Sequence, residues 1–130
     1  MDWEAGQGHY PYQAAIDAYG DGGFRFAEMS HRGSLIALPT GMYAWDVSAA
    51  AEITLSTLAR VIDQARDIDV LLVGTGPDIV PIPSEIRTAL REQGVIVEAV
   101  STGSAVRTYN VLFAEKRAIA LAALAVEKAR

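Results

Sequence analysis

The chain has 130 residues, 51% of them hydrophobic, with a formal net charge of -5 at pH 7 and no cysteine. That length suits one domain able to bury roughly two-thirds of the surface its unfolded form exposes, and the hydrophobic share excludes disorder throughout. The acidic balance argues against binding nucleic acid or anionic membrane, which needs a basic field, and the missing cysteine excludes disulfides, thiolate zinc sites and cysteine nucleophiles.

Residues 1–12 read as a loose N-terminal extension, because Gly6, Gly8 and Pro11 interrupt any apolar period. One α/β domain is expected over 13–130. The first residues carry acids and glycines where an export signal has a basic start and an apolar run. The longest apolar stretch is bounded by Lys116-Arg117 and Glu127-Lys128 and is too short to span a bilayer. A soluble, cytoplasmic protein without membrane insertion is therefore expected.

Four short extended runs follow, Ala14 to Tyr19, Phe24 to Phe26, Ser34 to Leu38 and Met42 to Trp45. Gly20-Asp21-Gly22-Gly23 and Pro39-Thr40-Gly41 supply turn chemistry between them. They read as one antiparallel meander, with Met29 to Gly33 as a turn. The period then lengthens: Leu55, Leu58, Ala59, Ile62 and Ala65 share one face of a helix. Asp69 to Val73 is a continuous apolar run ending at glycine, as in a strand buried on both faces.

A second helix is expected from Ser84 to Gln93, stopped by Gly94, and a strand from Val95 to Val100. Thr102 is the expected N-cap of a third helix reaching Glu115. Strand, helix, strand, helix points to parallel pairing with right-handed crossovers. Arg117 to Val126 is ambiguous, since alanine favours helix while Ile119 and Leu121 alternate as in a strand; on propensity the segment leans to helix.

If the two apolar runs are parallel neighbours, their C-terminal loops share one sheet edge, where open α/β sheets form ligand crevices. The candidate site residues are Gly74, Thr75, Gly76, Pro77 and Asp78 on the first loop, and Thr102, Gly103 and Ser104 on the second, with Arg107 and Asn110 on the following helix. A helix start favours an anion, and Arg107 would add a charged hydrogen bond. The plainer reading is that such glycines make tight turns and that Thr102 caps a helix. Neither the dinucleotide fingerprint nor the phosphate-loop motif is present.

No catalytic or metal set is evident. His9 and His31 are the only histidines and lie far apart in sequence. Ser104, His31 and Asp78 could be imagined as a triad, but no nucleophile-elbow text surrounds the serine. Tyr109, Leu112 and Phe113 fall with Ala105 at helical spacing and read as core. Trp3, Tyr10 and Tyr12 in the extension are aromatics free to dock on something.

Three stretches, GFRFAEMSHRGSLIALPTGMYAW, DVLLVGTGPDIVPIPSEI and GVIVEAVSTGSAVRTYNVLFAEKR, together resemble a domain-of-unknown-function family. Its relatives include the mitochondrial NADH dehydrogenase (complex I) assembly factor 3 and the adipogenesis-associated domain protein, beside uncharacterised bacterial and archaeal members. The resemblance runs from about Ala14 to Val126. It implies a three-layer β+α/β/α fold in which an N-terminal β-meander packs with a mixed sheet and helices. It also implies that Arg117 to Val126 is an antiparallel strand rather than a helix.

Functionally, the resemblance implies a non-enzymatic interaction or assembly-factor-like domain with a protein partner and no cofactor. The alternative is a small-molecule binder or enzyme that takes a small anion at the Gly74–Pro77 and Ser101–Ser104 loops.

Overall fold

Extended segments dominate the chain, and in the computed structural model, which describes residues 8–129, they pair into two sheets. Strands β1 (Gly8–Tyr10), β5 (Leu35–Leu38), β6 (Gly41–Ala44), β7 (Val70–Gly74), β8 (Ile96–Val100) and β9 (Ile119–Ala123) form a mixed six-stranded sheet in the order β1-β6-β5-β9-β7-β8. Strands β2 (Ala18–Gly20), β3 (Gly23–Phe26) and β4 (Met29–Arg32) form a separate antiparallel meander.

Alternation in the strands divides the core. On one face Ile36, Leu38, Leu71, Val73, Ala120 and Ala122 pack against Leu58, Val61, Ile86 and Leu90 of the helices α1 (Ala59–Asp63) and α2 (Ser84–Glu92) and the turn before them. On the other, Leu35, Ala37, Leu72, Leu121 and Ala123 meet Ala105, Val106 and Tyr109 of α3 (Thr102–Ala114) and Phe24 and Phe26 of the small sheet. Helices, mixed sheet, and α3 beside the small sheet are thus the three layers implied by the resemblance.

The C-terminal segment is a strand. β9 runs antiparallel to β5 and parallel to β7, joining the hairpin half of the sheet to its parallel half. All five residues of β9 are buried, so its sequence carries no in-out alternation. Alanine there reflects close packing on both faces, not helix propensity.

The expected single meander is split. Leu35–Leu38 and Gly41–Ala44 belong to the large sheet, and Met29–Arg32, read as a turn, is a strand. The missed signal is the two-residue turn Ala27-Glu28, whose φ angles are 50° and 63°. Positive φ at both central positions is the hairpin-matched turn that Asn-Gly usually fills, and Ala-Glu does not announce it. The end of the stretch expected to be loose, Gly8–Tyr10, is an edge strand on β6.

The first helix is broken into 3-10 turns around the five-residue α1. Its buried residues are Leu58, Val61 and Ala65, whereas Leu55 and Ala59 face solvent. The N-cap of α3 is Ser101, whose side chain accepts from the Ser104 N–H, because Thr102 is engaged elsewhere. At the sheet edge β8, Arg87 of α2 donates to the Val97 carbonyl oxygen at 2.7 Å, covering a backbone acceptor that an edge strand would otherwise expose.

Candidate functional site

β7, β8 and β9 are parallel, so the loops after them converge at one edge, as the sequence predicts for the first two. There the backbone is closed on itself. Thr75 N–H donates to Val100 O at 2.8 Å and Leu124 N–H to Gly74 O at 2.9 Å. Thr102 N–H donates to Gly76 O at 2.8 Å, and Gly76 N–H donates back to Thr102 Oγ1 at 3.1 Å. A Cβ on Gly74 would lie 2.9 Å from Thr102 Cα, so only glycine permits this approach.

The two threonines are buried and their hydroxyls are committed. Thr102 Oγ1 donates to Leu124 O at 2.7 Å. Thr75 Oγ1 lies 2.7 Å from Asp78 O and 3.0 Å from Val100 O, and accepts from the Val80 N–H at 2.9 Å. Both satisfy backbone groups of their own edge rather than pointing at a ligand, since a buried polar atom must find a partner.

Beside this clasp lies a shallow cleft of about 230 Å³, lined by Gly76, Pro77, Ser101, Gly103, Arg107, Lys128, Tyr19 and Val126. Of the sequence-derived candidates, Gly76, Pro77, Gly103 and Arg107 reach it, and Gly74, Thr75, Asp78, Thr102, Ser104 and Asn110 do not line it. Ser104 sits at its margin, with Arg107 Nη2 at 3.4 Å from its Oγ. Asn110 is turned to the small sheet, where its amide accepts from Ile16 N–H and donates to Ile16 O, each at 2.8 Å.

Tyr19, Val126 and Lys128 were missed by the sequence reading because they arrive from other parts of the chain. Asp21 N–H donates to Glu127 O at 2.8 Å and Gly22 N–H to Val126 O at 2.9 Å, which straps the C-terminal segment across the first turn of the small sheet. No local pattern encodes that strap. Ser101 carried a signal, a hydroxyl directly before a helix.

The cleft offers limited chemistry. Its volume is below the roughly 300–1,000 Å³ of small-molecule sites, so a larger ligand would remain mostly exposed. Three N–H groups at the start of α3 are used internally, by Gly76 O, Ser101 Oγ and Ser101 O. The Gly103 N–H remains, flanked by Arg107 and Lys128.

His31 does not lie in a turn. It is buried in β4, with Nε2 at 2.8 Å from Ser34 O. Among the described residues, no three His, Asp or Glu side chains come together as a metal site would require. Tyr109 is fully buried and donates to Ala14 O at 2.7 Å; burial holds its phenol well above the ordinary tyrosine range. Of the aromatics in the extension, Tyr10 packs edge-on against Phe26 of the same chain at 6.3 Å. Tyr12 stays exposed, and Trp3 lies outside the described residues.

Exposed apolar side chains lie on separate elements: Ile79 and Val80 in the proline-bounded crossover to α2, Ile96 on the edge strand, and Val111 on α3. Among the described residues no helix is long and apolar enough to cross a membrane.

Comparison with known proteins places this geometry in a wider set. A family model described as "Protein of unknown function (DUF498/DUF598)" matches residues 16–124. An uncharacterised protein of Rhodobacter capsulatus is 38% identical over 109 residues, 84% of this chain and 82% of that protein. The Danio rerio NADH dehydrogenase [ubiquinone] 1 alpha subcomplex assembly factor 3 is 30% identical over 107 residues, 82% of this chain and 62% of its own length. The crystal structure of a Bartonella henselae protein, described as an outer membrane protein, superposes with a TM-score of 0.88 at 49% identity, covering 92% of this chain and 100% of that one.

Proposed function

This chain belongs to the DUF498/DUF598 family of proteins of unknown function, and from that premise we propose that it is a protein-interaction domain that helps assemble a larger complex. The observation that carries this reading is the similarity, over 82% of the chain, to a relative named as an assembly factor of NADH dehydrogenase. The chain spans 62% of that relative's length, so the reading concerns the shared part alone.

The site chemistry supports the same reading. A catalytic edge needs polar atoms aimed at substrate, and here the Thr75 and Thr102 hydroxyls are used to hold loops together. Ile79 and Ile96, 65% and 59% exposed, are apolar side chains open to a partner's surface.

The test is co-purification of the tagged full chain from its native cells after mild cross-linking, followed by mass spectrometry. A partner recovered in near-stoichiometric amount, and lost on Ile79→Ser with Ile96→Ser, is the expected result. A chain recovered alone under these conditions overturns the reading.

A second reading is favoured by Lys128, which joins Arg107 on the cleft wall beside the Gly103 N–H. Two cations and a helix start suit a small carboxylate or phosphate. A thermal-shift panel of phosphates, nucleotides and carboxylates tests it. Ligand at about a hundred times its Kd stabilises a fold by roughly 2.7 kcal/mol, so a shift abolished by Arg107→Ala supports this reading, and no shift with any anion removes it.

A further inference from the structure

The outer face of the small sheet carries a groove of about 320 Å³ whose lining includes Ala18, Gly20, Gly23, Arg25, Ser30 and Arg32. Side chains alternate along β3 and β4: Phe24, Phe26 and His31 are buried, whereas Arg25, Ser30 and Arg32 are exposed. The register sets Arg25 opposite Ser30 and Gly23 opposite Arg32. The two arginines are therefore diagonal neighbours on one face, about 7–8 Å apart with their Cβ atoms somewhat closer.

Between and beside them the groove is lined by small residues. The space a Cβ would take at Gly23 is filled by His31 O, and at Gly20 by the Ala129 nitrogen 3.3 Å away. Ala18 and Ser30 add only small side chains. Neither the Arg25 nor the Arg32 guanidinium makes a hydrogen bond or ion pair among the described residues, the Arg25 backbone oxygen alone accepting from Asp17 N–H outside the sheet ladder. Asp21, at the turn end, is the acid on the groove wall, so two guanidinium groups face one carboxylate on a chain whose net charge is -5.

We propose that this groove docks an extended acidic segment of the protein partner, with carboxylates two residues apart held by Arg25 and Arg32. In an extended strand, side chains at i and i+2 share a face and lie about 6.6 Å apart, which matches the diagonal spacing of the arginines. Guanidinium groups take carboxylates through two parallel hydrogen bonds. The proposal rests on the interaction-domain reading and names the surface and the partner chemistry for it.

The test titrates the ¹⁵N-labelled full chain at low ionic strength with two synthetic probes, Gly-Glu-Ser-Glu-Gly and its isomer Gly-Ser-Glu-Glu-Gly, both blocked at their ends. Amide shifts on Ala18–Arg25 and Ser30–Arg32, with the alternating probe binding more tightly, are expected. Arg25→Ala with Arg32→Ala should weaken binding by about fivefold or more, and Arg25→Lys with Arg32→Lys should keep charge but lose the preference between probes. No shifts at these residues, an unchanged response in the double alanine variant, or shifts centred on Arg107 and Lys128 overturn the groove.

The two readings fail separately. A native partner that still co-purifies with the double alanine variant removes the groove and leaves the interaction domain standing. Absence of any partner for the unaltered chain removes the interaction reading, and the groove proposal with it, whatever the peptides do.

Discussion

Gly76 and Thr102 bond each other twice, through Thr102 N–H to Gly76 O at 2.8 Å and Gly76 N–H to Thr102 Oγ1 at 3.1 Å. The pair closes the edge where the parallel strands end. The Thr102 hydroxyl in turn donates a hydrogen bond to Leu124 O at 2.7 Å, so one buried side chain ties the ends of three strands. What the sequence presents as a ligand loop is, at its centre, a clasp.

Thr102→Val should lower stability by about 2–4 kcal/mol, because the Gly76 N–H and Leu124 C=O lose their partner and each orphaned buried group costs about 1–3 kcal/mol. Thr102→Ser keeps the hydroxyl and should retain most of the stability. Urea denaturation of both variants checks this. A loss in Thr102→Ser as large as that in Thr102→Val would show that the hydroxyl contributes no more than the methyl there.

Gly74→Ala and Gly76→Ala should differ in size and in cause. A methyl at Gly74 meets Thr102 Cα at 2.9 Å, and overpacking of this kind costs about 1–3 kcal/mol, here at the upper end because the obstacle is backbone. At Gly76 nothing lies within 4 Å, and φ is 103°, so only backbone strain of about 1–2 kcal/mol applies. The same denaturation series ranks them, and a larger loss at Gly76 would contradict the close approach at Gly74.

Ala27 and Glu28, at φ 50° and 63°, are L-residues in a turn that favours asparagine and glycine. Ala27→Asn with Glu28→Gly should raise stability by about 1–2 kcal/mol. A thermal melt showing no gain would mean that the turn is not held in this conformation in solution.

Burial raises the Tyr109 phenol above the ordinary value of 10.0. The sign follows: the folded state retains that proton while the unfolded chain releases it, so stability is unaffected below about pH 10 and falls as pH rises beyond it. Tyr109→Phe removes the dependence and sacrifices the bond to Ala14 O, at about 1 kcal/mol. Denaturation across alkaline pH in both chains checks this, and identical slopes would refute the assignment to Tyr109.

Much of the second half was legible because local rules govern it. Val70–Gly74 reads as a doubly buried strand, and Gly94 at φ 88° ends its helix as expected. Thr102 misled because a hydroxyl before a helix looks the same whether it caps that helix or bonds a strand end 22 residues away. Asn110, expected near the anion, is drawn to Ile16, 94 residues distant. The small sheet escaped detection because its second hairpin turns on Ala27-Glu28, without turn chemistry.

The sequence by itself determined the fold class, the parallel unit and the edge at which its loops meet, since apolar runs, helical period and glycine positions are local properties of the chain. Tertiary structure alone decided that the loops form a clasp, that Lys128 and Tyr19 complete the cleft, and that Arg25 and Arg32 flank one groove. Those outcomes depend on strand register and on which buried donor finds which acceptor across the chain, and the physics of polar satisfaction acts only after the layers have packed.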